Sequence, residues 1–277
     1  MTPGRVAPKA RVGLVSTAAL AAATFLACRV GPSTHDAPDA GASATLAHEG
    51  PSAAGTDGAP SPSEPHHREK ATSSGESFTA DWFTFRLASV GLRIVDVGAS
   101  RELGRALETD DDLLAVNAGF FDDHDAPLGL SRSRGATLSA FAPKLSGGVL
   151  EVDGDTGALF ETETYDKKRT PAFAVQCRPR LVVSGHANVR SDDKKRAERT
   201  TLCLRDGGKV LSVVVLENEE RGPSLFATGH YLEARGCHDA LSLDGGPSTG
   251  VVYRSAGGPV ELPLRGPIRQ AIVIRRR

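Results

Sequence analysis

The segment Ala240 to Gly250, ALSLDGGPSTG, runs an apolar strand directly into a carboxylate and two glycines. Side chains alternate along a strand, so Leu241 and Leu243 share one face while Ser242 and Asp244 share the other. Asp244 therefore ends the strand facing away from the core that its leucines seek. Gly245 and Gly246 can take positive φ and leave room for a ligand against the backbone, and Pro247, Ser248 and Thr249 supply a rigid turn with hydroxyls. This layout suits a reactive carboxylate at a strand end; a plain hairpin turn would also account for Asp-Gly.

A second segment, Asn117 to Asp122, NAGFFD, repeats that logic. Leu114 and Val116 point to the core, which leaves Asn117 on the opposite face as the strand reaches Gly119. A carboxamide there can donate to and accept from a sugar hydroxyl or a phosphate oxygen. The same residues also describe a turn with two core phenylalanines. Asp122, Asp123, His124 and Asp125 crowd the next loop. Oxygen-rich loops hold calcium, but the ligand order of an EF-hand is absent, so a solvated acidic loop is the favoured reading and a divalent metal stays open. Further on, Arg199, Thr201 and Cys203 share one strand face, where an arginine can form a forked pair with phosphate or carboxylate, or a surface salt bridge. Arg178 and Arg180 flank Pro179 and add cations. Glu217 directly follows an apolar strand and offers a second carboxylate at the same sheet edge.

These residues need a scaffold, and the chain supplies many short strand signals bounded by Gly, Pro or Asp: 83–87, 92–97, 113–117, 172–177, 181–184, 200–204, 210–216, 240–243, 250–253 and 270–274. The run 210–216 is apolar on both faces and predicts a central strand buried on both sides. A helix is expected over 223–235, closed by Gly236, and a shorter one over 101–107. The expected fold class is α+β: a single domain with a substantial mixed or antiparallel sheet and few helices.

Residues 1–27 read as an export signal, with Arg5, Lys9 and Arg11 ahead of an uncharged run ending at Ala27. That run is shorter than the about 20 residues of a spanning helix. Cys28 follows a small residue, as in a bacterial lipoprotein cleavage box, and is the expected lipidation site. Residues 28–75, rich in Ala, Pro, Gly and Ser, read as a disordered tether, and 76–277 as one folded domain. An exported protein anchored to the cell envelope by lipid, periplasmic or on the surface, is the expectation. The net charge of −1 argues against a nucleic-acid partner. Cys177, Cys203 and Cys237 leave one pair and one free thiol; Cys177 and Cys203, both in strands, are the candidate disulfide.

In order and spacing, Asn117 to Phe121 (NAGFF), Pro127 to Leu130 (PLGL), Ala174 to Gly185 (AVQCRPRLVVSG), Arg199 to Leu202 (RTTL) and Ala240 to Gly250 together resemble the phosphodiester glycosidase family over most of 80–277. Three residues depart from it: Arg178, where the family usually has glycine, and Ser242 and Pro247, where it often has asparagine and glycine. The resemblance implies hydrolysis of the bond between an anomeric carbon and a phosphodiester oxygen, giving free sugar and a phosphomonoester. A carboxylate can stabilise or attack the oxocarbenium-like transition state, or activate water. On that reading Asp244 is the central carboxylate, with Glu217 or Asp122 as partner and Asn117 orienting the reactants. Arg199, Asp122, Ser248 and the backbone of Gly245 and Gly246 then bind substrate, a sugar phosphate or polysaccharide, with no cofactor. The alternatives are a lipoprotein that binds envelope glycans without turnover, and a metal-dependent phosphodiesterase that breaks the P–O bond.

Overall fold

The computed structural model describes residues 65–277 apart from 101, with the side chains of 99 and 100 also outside the description. The expected signal segment, Cys28 and most of the expected tether lie outside the described residues. In chain order the strands are β1 (His66–Ser73), β2 (Glu76–Arg86), β3 (Val90–Ser100), β4 (Asp112–Asn117), β5 (Ser131–Ser133) and β6 (Ala136–Ser139). There follow β7 (Gly148–Asp153), β8 (Thr156–Glu161), β9 (Phe173–Cys177), β10 (Arg180–Val183), β11 (His186–Ala187), β12 (Arg199–Arg205) and β13 (Val210–Glu217). The helix α1 (Leu225–Ala234) precedes β14 (Asp239–Ser242), β15 (Val251–Ser255), β16 (Gly258–Leu262) and β17 (Ile268–Arg276).

The strands form three sheets, ordered β1-β2-β13-β12-β14-β10-β11, β16-β15-β4-β17-β3 and β6-β5-β9-β7-β8. All ten strands expected from sequence are present. The α+β expectation holds only coarsely, because the described residues are mostly strand and carry a single α-helix. The short helix expected over 101–107 is a 3-10 turn, Leu103–Ala106.

Alternation decides which side of the seven-stranded sheet each residue serves. Leu202, Leu204, Val213, Val215, Leu241 and Leu243 face the main core, shared with Leu114, Val116 and Ile272 of the second sheet and Leu150, Phe173 and Val175 of the third. Cys203, Val214, Leu216 and Ala240 face the opposite way, onto Tyr231 and Leu232 of α1. The strand β13 is thus buried on both faces, as its unbroken apolar run requires. Ser224 caps α1, its hydroxyl accepting from the Ala227 N–H at 3.0 Å.

Two expectations change here. The strand β1 falls inside the span read as tether and pairs with β2 along its whole length, from His66 opposite Phe83 to Ser73 opposite Glu76. Its sequence, HHREKATS, is polar because it is an edge strand held by charge: Glu69 receives both Nε and Nη2 of Arg235, at 2.8 and 2.7 Å. The disulfide joins Cys203 to Cys237, Cα atoms 5.5 Å apart, and Cys177 is a free, buried thiol. Cys177 belongs to another sheet and faces the main core, while Cys203 faces α1, so the pair expected from strand position lies on different sides of the seven-stranded sheet.

The Cys203–Cys237 bond closes a loop with a sequence separation of 34 residues. Loop-closure entropy for that length stabilises by about 2–4 kcal/mol once native-state costs are allowed for. The double variant Cys203→Ala/Cys237→Ala is expected to lose that much unfolding free energy, read as a lower urea midpoint, and to lose its response to reductant; an unchanged midpoint would show that the crosslink does not restrain the unfolded chain.

Candidate active site

Three strand ends meet at one edge of the seven-stranded sheet. The strand β12 begins with Arg199, and its neighbour β14 runs antiparallel so that Thr201 pairs with Ser242 and the ladder continues through Leu243 N–H to Thr200 O at 2.9 Å. On the other side of β14, β10 begins at Arg180, opposite Leu241. Asp244 therefore emerges between the starts of β12 and β10. Because Leu241 and Leu243 face the main core, Asp244 and Ser242 face the helix side. Arg199, in phase with Thr201 and Cys203, faces the same way.

A cavity of about 800 Å³ opens there, and Asp244, Arg199, Ser242, Gly245, Gly246 and Phe120 all line it. Burial pushes the Asp244 carboxyl above the ordinary aspartate value, against the Ser248 hydroxyl and the Gly245 N–H, which favour its charged form. The Gly245 N–H donates to Asp244 Oδ1 at 2.9 Å. Arg199 is largely desolvated, which lowers its pKa, although it remains cationic. Its Nε donates to Pro223 O and its Nη2 to Lys195 O, each at 3.0 Å. These carbonyls aim the guanidinium without neutralising it.

The two glycines have separate steric reasons. A Cβ on Gly245 would sit 2.9 Å from the Glu198 carbonyl oxygen, and Gly246 has φ +62°. Their N–H groups are both committed, Gly245 to Asp244 and Gly246 to Glu198 O at 2.8 Å. They shape the floor of the cavity, and the expectation that these amides hold a phosphoryl group is corrected.

Asn117 is also corrected in part. It is fully buried, beneath the cavity instead of in it. Its Nδ2 donates to Asp244 O at 2.7 Å, and its Oδ1 accepts from Thr200 Oγ1 at 2.7 Å and Gly250 N–H at 3.3 Å. It positions the carboxylate loop and has no face toward a ligand. Ser248, likewise absent from the cavity wall, acts on Asp244 and donates to Pro267 O at 3.2 Å.

Two expected residues are not brought to the site. Glu217 follows Val213 and Val215 in phase and so faces the main-core side, opposite to Asp244, where it pairs with Arg68 at 3.0 Å. Asp122 folds its own loop: Oδ1 accepts from the His124 and Ala126 N–H groups, each at 2.9 Å, and these bonds hold its pKa below the usual value. Among the described residues, no group of three His, Cys, Asp or Glu side chains is placed to hold a metal ion.

The cavity wall also carries residues not singled out as carboxylate partners, Glu161, Glu163 and Asp193. Glu161 pairs with Arg180, and Asp193 with Lys195 at 3.8 Å. Glu163 has no ion pair among the described residues. Its only sequence signal was its place after β8, in a hairpin announced by Gly154 between alternating apolar residues.

Pro247 sits inside the 3-10 turn Gly246–Ser248, where a fixed φ is tolerated, and its carbonyl accepts from the Arg265 and Gly266 N–H groups at 3.0 and 2.7 Å. It does not line the cavity. Arg178 does, at the rim.

A search of curated proteins finds no match. Among solved structures, the catalytic domain of zebrafish N-acetylglucosamine-1-phosphodiester alpha-N-acetylglucosaminidase, auto-inhibited by its pro-peptide, is similar in fold. Its TM-score is 0.61 at 16% identity, over 76% of this chain and 82% of that one. A hypothetical protein from Synechocystis superposes with a TM-score of 0.58 at 15% identity, over 76% of this chain; the match spans 62% of the Synechocystis chain. The sequence model of the phosphodiester glycosidase family matches residues 111–275, more than half of the chain and every strand end that meets at Asp244, and the chain belongs to that family.

Proposed function

We propose that this chain is a hydrolase that cleaves glycosyl phosphodiesters at the bond between the anomeric carbon and the phosphodiester oxygen. The observation that carries the reading is the half-buried Asp244 carboxyl, its pKa raised by partial desolvation, in a cavity it shares with the half-buried cation Arg199. Arg199 neutralises the phosphoryl group on one side, which keeps the departing phosphomonoester a good leaving group. Asp244 meets the anomeric carbon as positive charge develops there, an interaction strengthened by its partial desolvation. Phe120 offers an apolar face to the sugar ring, and Ser242 a hydroxyl beside the carboxylate. Water attacks carbon, one proton is released, and phosphorus keeps all its oxygens. Export, and attachment of the domain to an envelope by lipid at Cys28, would place it among polysaccharide phosphodiesters.

Asp244→Asn is expected to lower kcat for release of sugar from an N-acetylglucosamine-1-phosphodiester by about a thousandfold or more. The same variant is expected to gain stability near neutral pH. A carboxyl whose folded pKa is raised contributes stability only at low pH, and that contribution is lost as pH rises through the folded value. The gain should vanish below the ordinary aspartate range, and a variant that keeps full turnover would remove Asp244 from the chemistry. On the wild-type acid limb, kcat/KM should rise through a pKa above 3.8, the ordinary aspartate value.

Asn117→Ala strips partners from the Thr200 hydroxyl, the Gly250 N–H and the Asp244 carbonyl. Leaving such groups buried without partners costs about 1–3 kcal/mol each. A fall of about 3 kcal/mol or more in unfolding free energy is expected, together with a drop in kcat; loss of ligand affinity at unchanged stability would mean that Asn117 touches substrate after all.

Hydrolysis in oxygen-labelled water separates this reading from a metal-dependent phosphodiesterase. Label is expected in the sugar. Label in the phosphate, with activity lost to chelator, would establish P–O cleavage instead, and tight binding with no release of sugar would leave a binding protein.

A further inference from the structure

The cations on the cavity wall are unequal in what they have left to offer. Arg180 is held by Glu161 and Lys195 lies 3.8 Å from Asp193. Arg199 gives Nε and Nη2 to main-chain carbonyls. Arg178, exposed at the rim two residues before β10, makes no side-chain hydrogen bond or ion pair with the described residues. Its backbone lies close against Gly147: a Cβ there would fall 2.6 Å from the Arg178 Cβ and 2.4 Å from the Cys177 carbonyl oxygen, so the segment before β10 is packed tightly on that glycine. The guanidinium is therefore anchored at its root and free at its tip.

The strand order places it. In the sequence β12-β14-β10, Arg199 opens the strand on one side of Asp244 and Arg178 precedes the strand on the other. A substrate whose anomeric carbon meets Asp244 and whose phosphoryl group lies toward Arg199 must extend its sugar ring toward Arg178. We propose that Arg178 reads a second anionic group on that sugar. The preferred substrate class is then a glycosyl phosphodiester whose glycone itself bears a phosphate or a carboxylate, as in a chain of sugars joined through phosphate or containing uronic acids. This inference rests on the glycosidase reading for the orientation of the ligand. Glu163, the wall carboxylate without an ion pair, leaves the rim short of a net positive field, so recognition depends on the fork of Arg178 meeting its anion directly.

The test is equilibrium binding, measured by calorimetry, of a hexose 1-phosphate, the corresponding hexose 1,6-bisphosphate and a hexuronic acid 1-phosphate to the wild-type protein, Arg178→Gln and Arg178→Lys. An ion pair at an exposed rim is worth at most about 1 kcal/mol, or about fivefold in affinity. The wild type is expected to favour one or both doubly anionic ligands over the monophosphate by about fivefold. Preference for the bisphosphate alone identifies phosphate as the second group, and preference for the uronic acid alone identifies carboxylate. Arg178→Gln should bring the ratio to about one, and Arg178→Lys should keep part of it. A wild-type ratio near one, or a ratio that survives Arg178→Gln, overturns the proposal. The readout is binding, so failure of the protein to release sugar from any diester would reject the glycosidase reading while the affinity ratio still decided the role of Arg178.

Discussion

One buried carboxamide holds the candidate site together. Asn117, at the end of β4 in one sheet, donates to the Asp244 carbonyl and accepts from Thr200 and Gly250, so it joins the second sheet to the ends of β14 and β12 in the first. The next residue completes the grip: the Ala118 carbonyl accepts from the Asp244 N–H at 3.2 Å, while the Ala118 N–H donates to Gln270 O at 2.9 Å. Asp244 is thus fixed through both its backbone N–H and its carbonyl by neighbours in the other sheet. A buried polar network of this kind is costly if any member is unpaired and rigid when all are paired. Here the rigidity is spent on the orientation of one side chain.

Fixing a carboxylate where it is partly desolvated works against stability, and the surroundings show how the cost is contained. The Gly245 N–H supplies a hydrogen bond to the charged form, the Ser248 hydroxyl also favours it, and the nearby cation Arg199 is tied to carbonyls, with no carboxylate ion-paired to it among the described residues. A direct Asp244–Arg199 ion pair would have stabilised both charges and left neither for a ligand. The wall that carries Arg199 is packed just as closely: a Cβ on Gly222, which has φ +129°, would fall 2.5 Å from the Ala197 carbonyl oxygen. Gly222 lets the loop before α1 lie against 197–198, and that contact brings the Pro223 carbonyl to the guanidinium.

Much of this was legible in the sequence because strand alternation is local. The parity of Leu241 and Leu243 placed Asp244 and Ser242 on one face, and parity put Arg199 on one face with Thr201 and Cys203; only the sheet shows that the two faces coincide. For Glu217 the rule gave no answer, because β13 is apolar on both faces, and only the assembled sheet shows Val213, Val215 and Glu217 on the side opposite to Asp244. Asn117 was found as a strand-end residue, but its true partners are 83 to 133 positions away in sequence, and no local pattern says whether a carboxamide meets a ligand or a distant backbone. The cysteine pairing failed for a related reason, since three thiols admit several pairings and only the assembled sheets show that Cys177 and Cys203 face different cores. β1 was invisible because an edge strand stabilised by Glu69 and Arg235 needs no apolar alternation.

Two of the departures from the family pattern, Pro247 and Arg178, now have different weights. Pro247 lies within a turn that accepts its fixed φ, packs against Gly266, and stays out of the cavity, so it changes the frame of the floor and leaves the floor itself to Gly245 and Gly246. Arg178 is placed where glycine would leave the rim open, and it adds a charge that no neighbouring side chain among the described residues takes up. A charge held at the mouth of a cavity and not used by the fold contributes little to stability, so it is available to a ligand at little cost to the fold. On the proposed reading, substrate choice falls to the rim on the β10 side of Asp244, and the chemistry to the β12 side, where Arg199 and the carboxylate that Asn117 holds in place line one cavity.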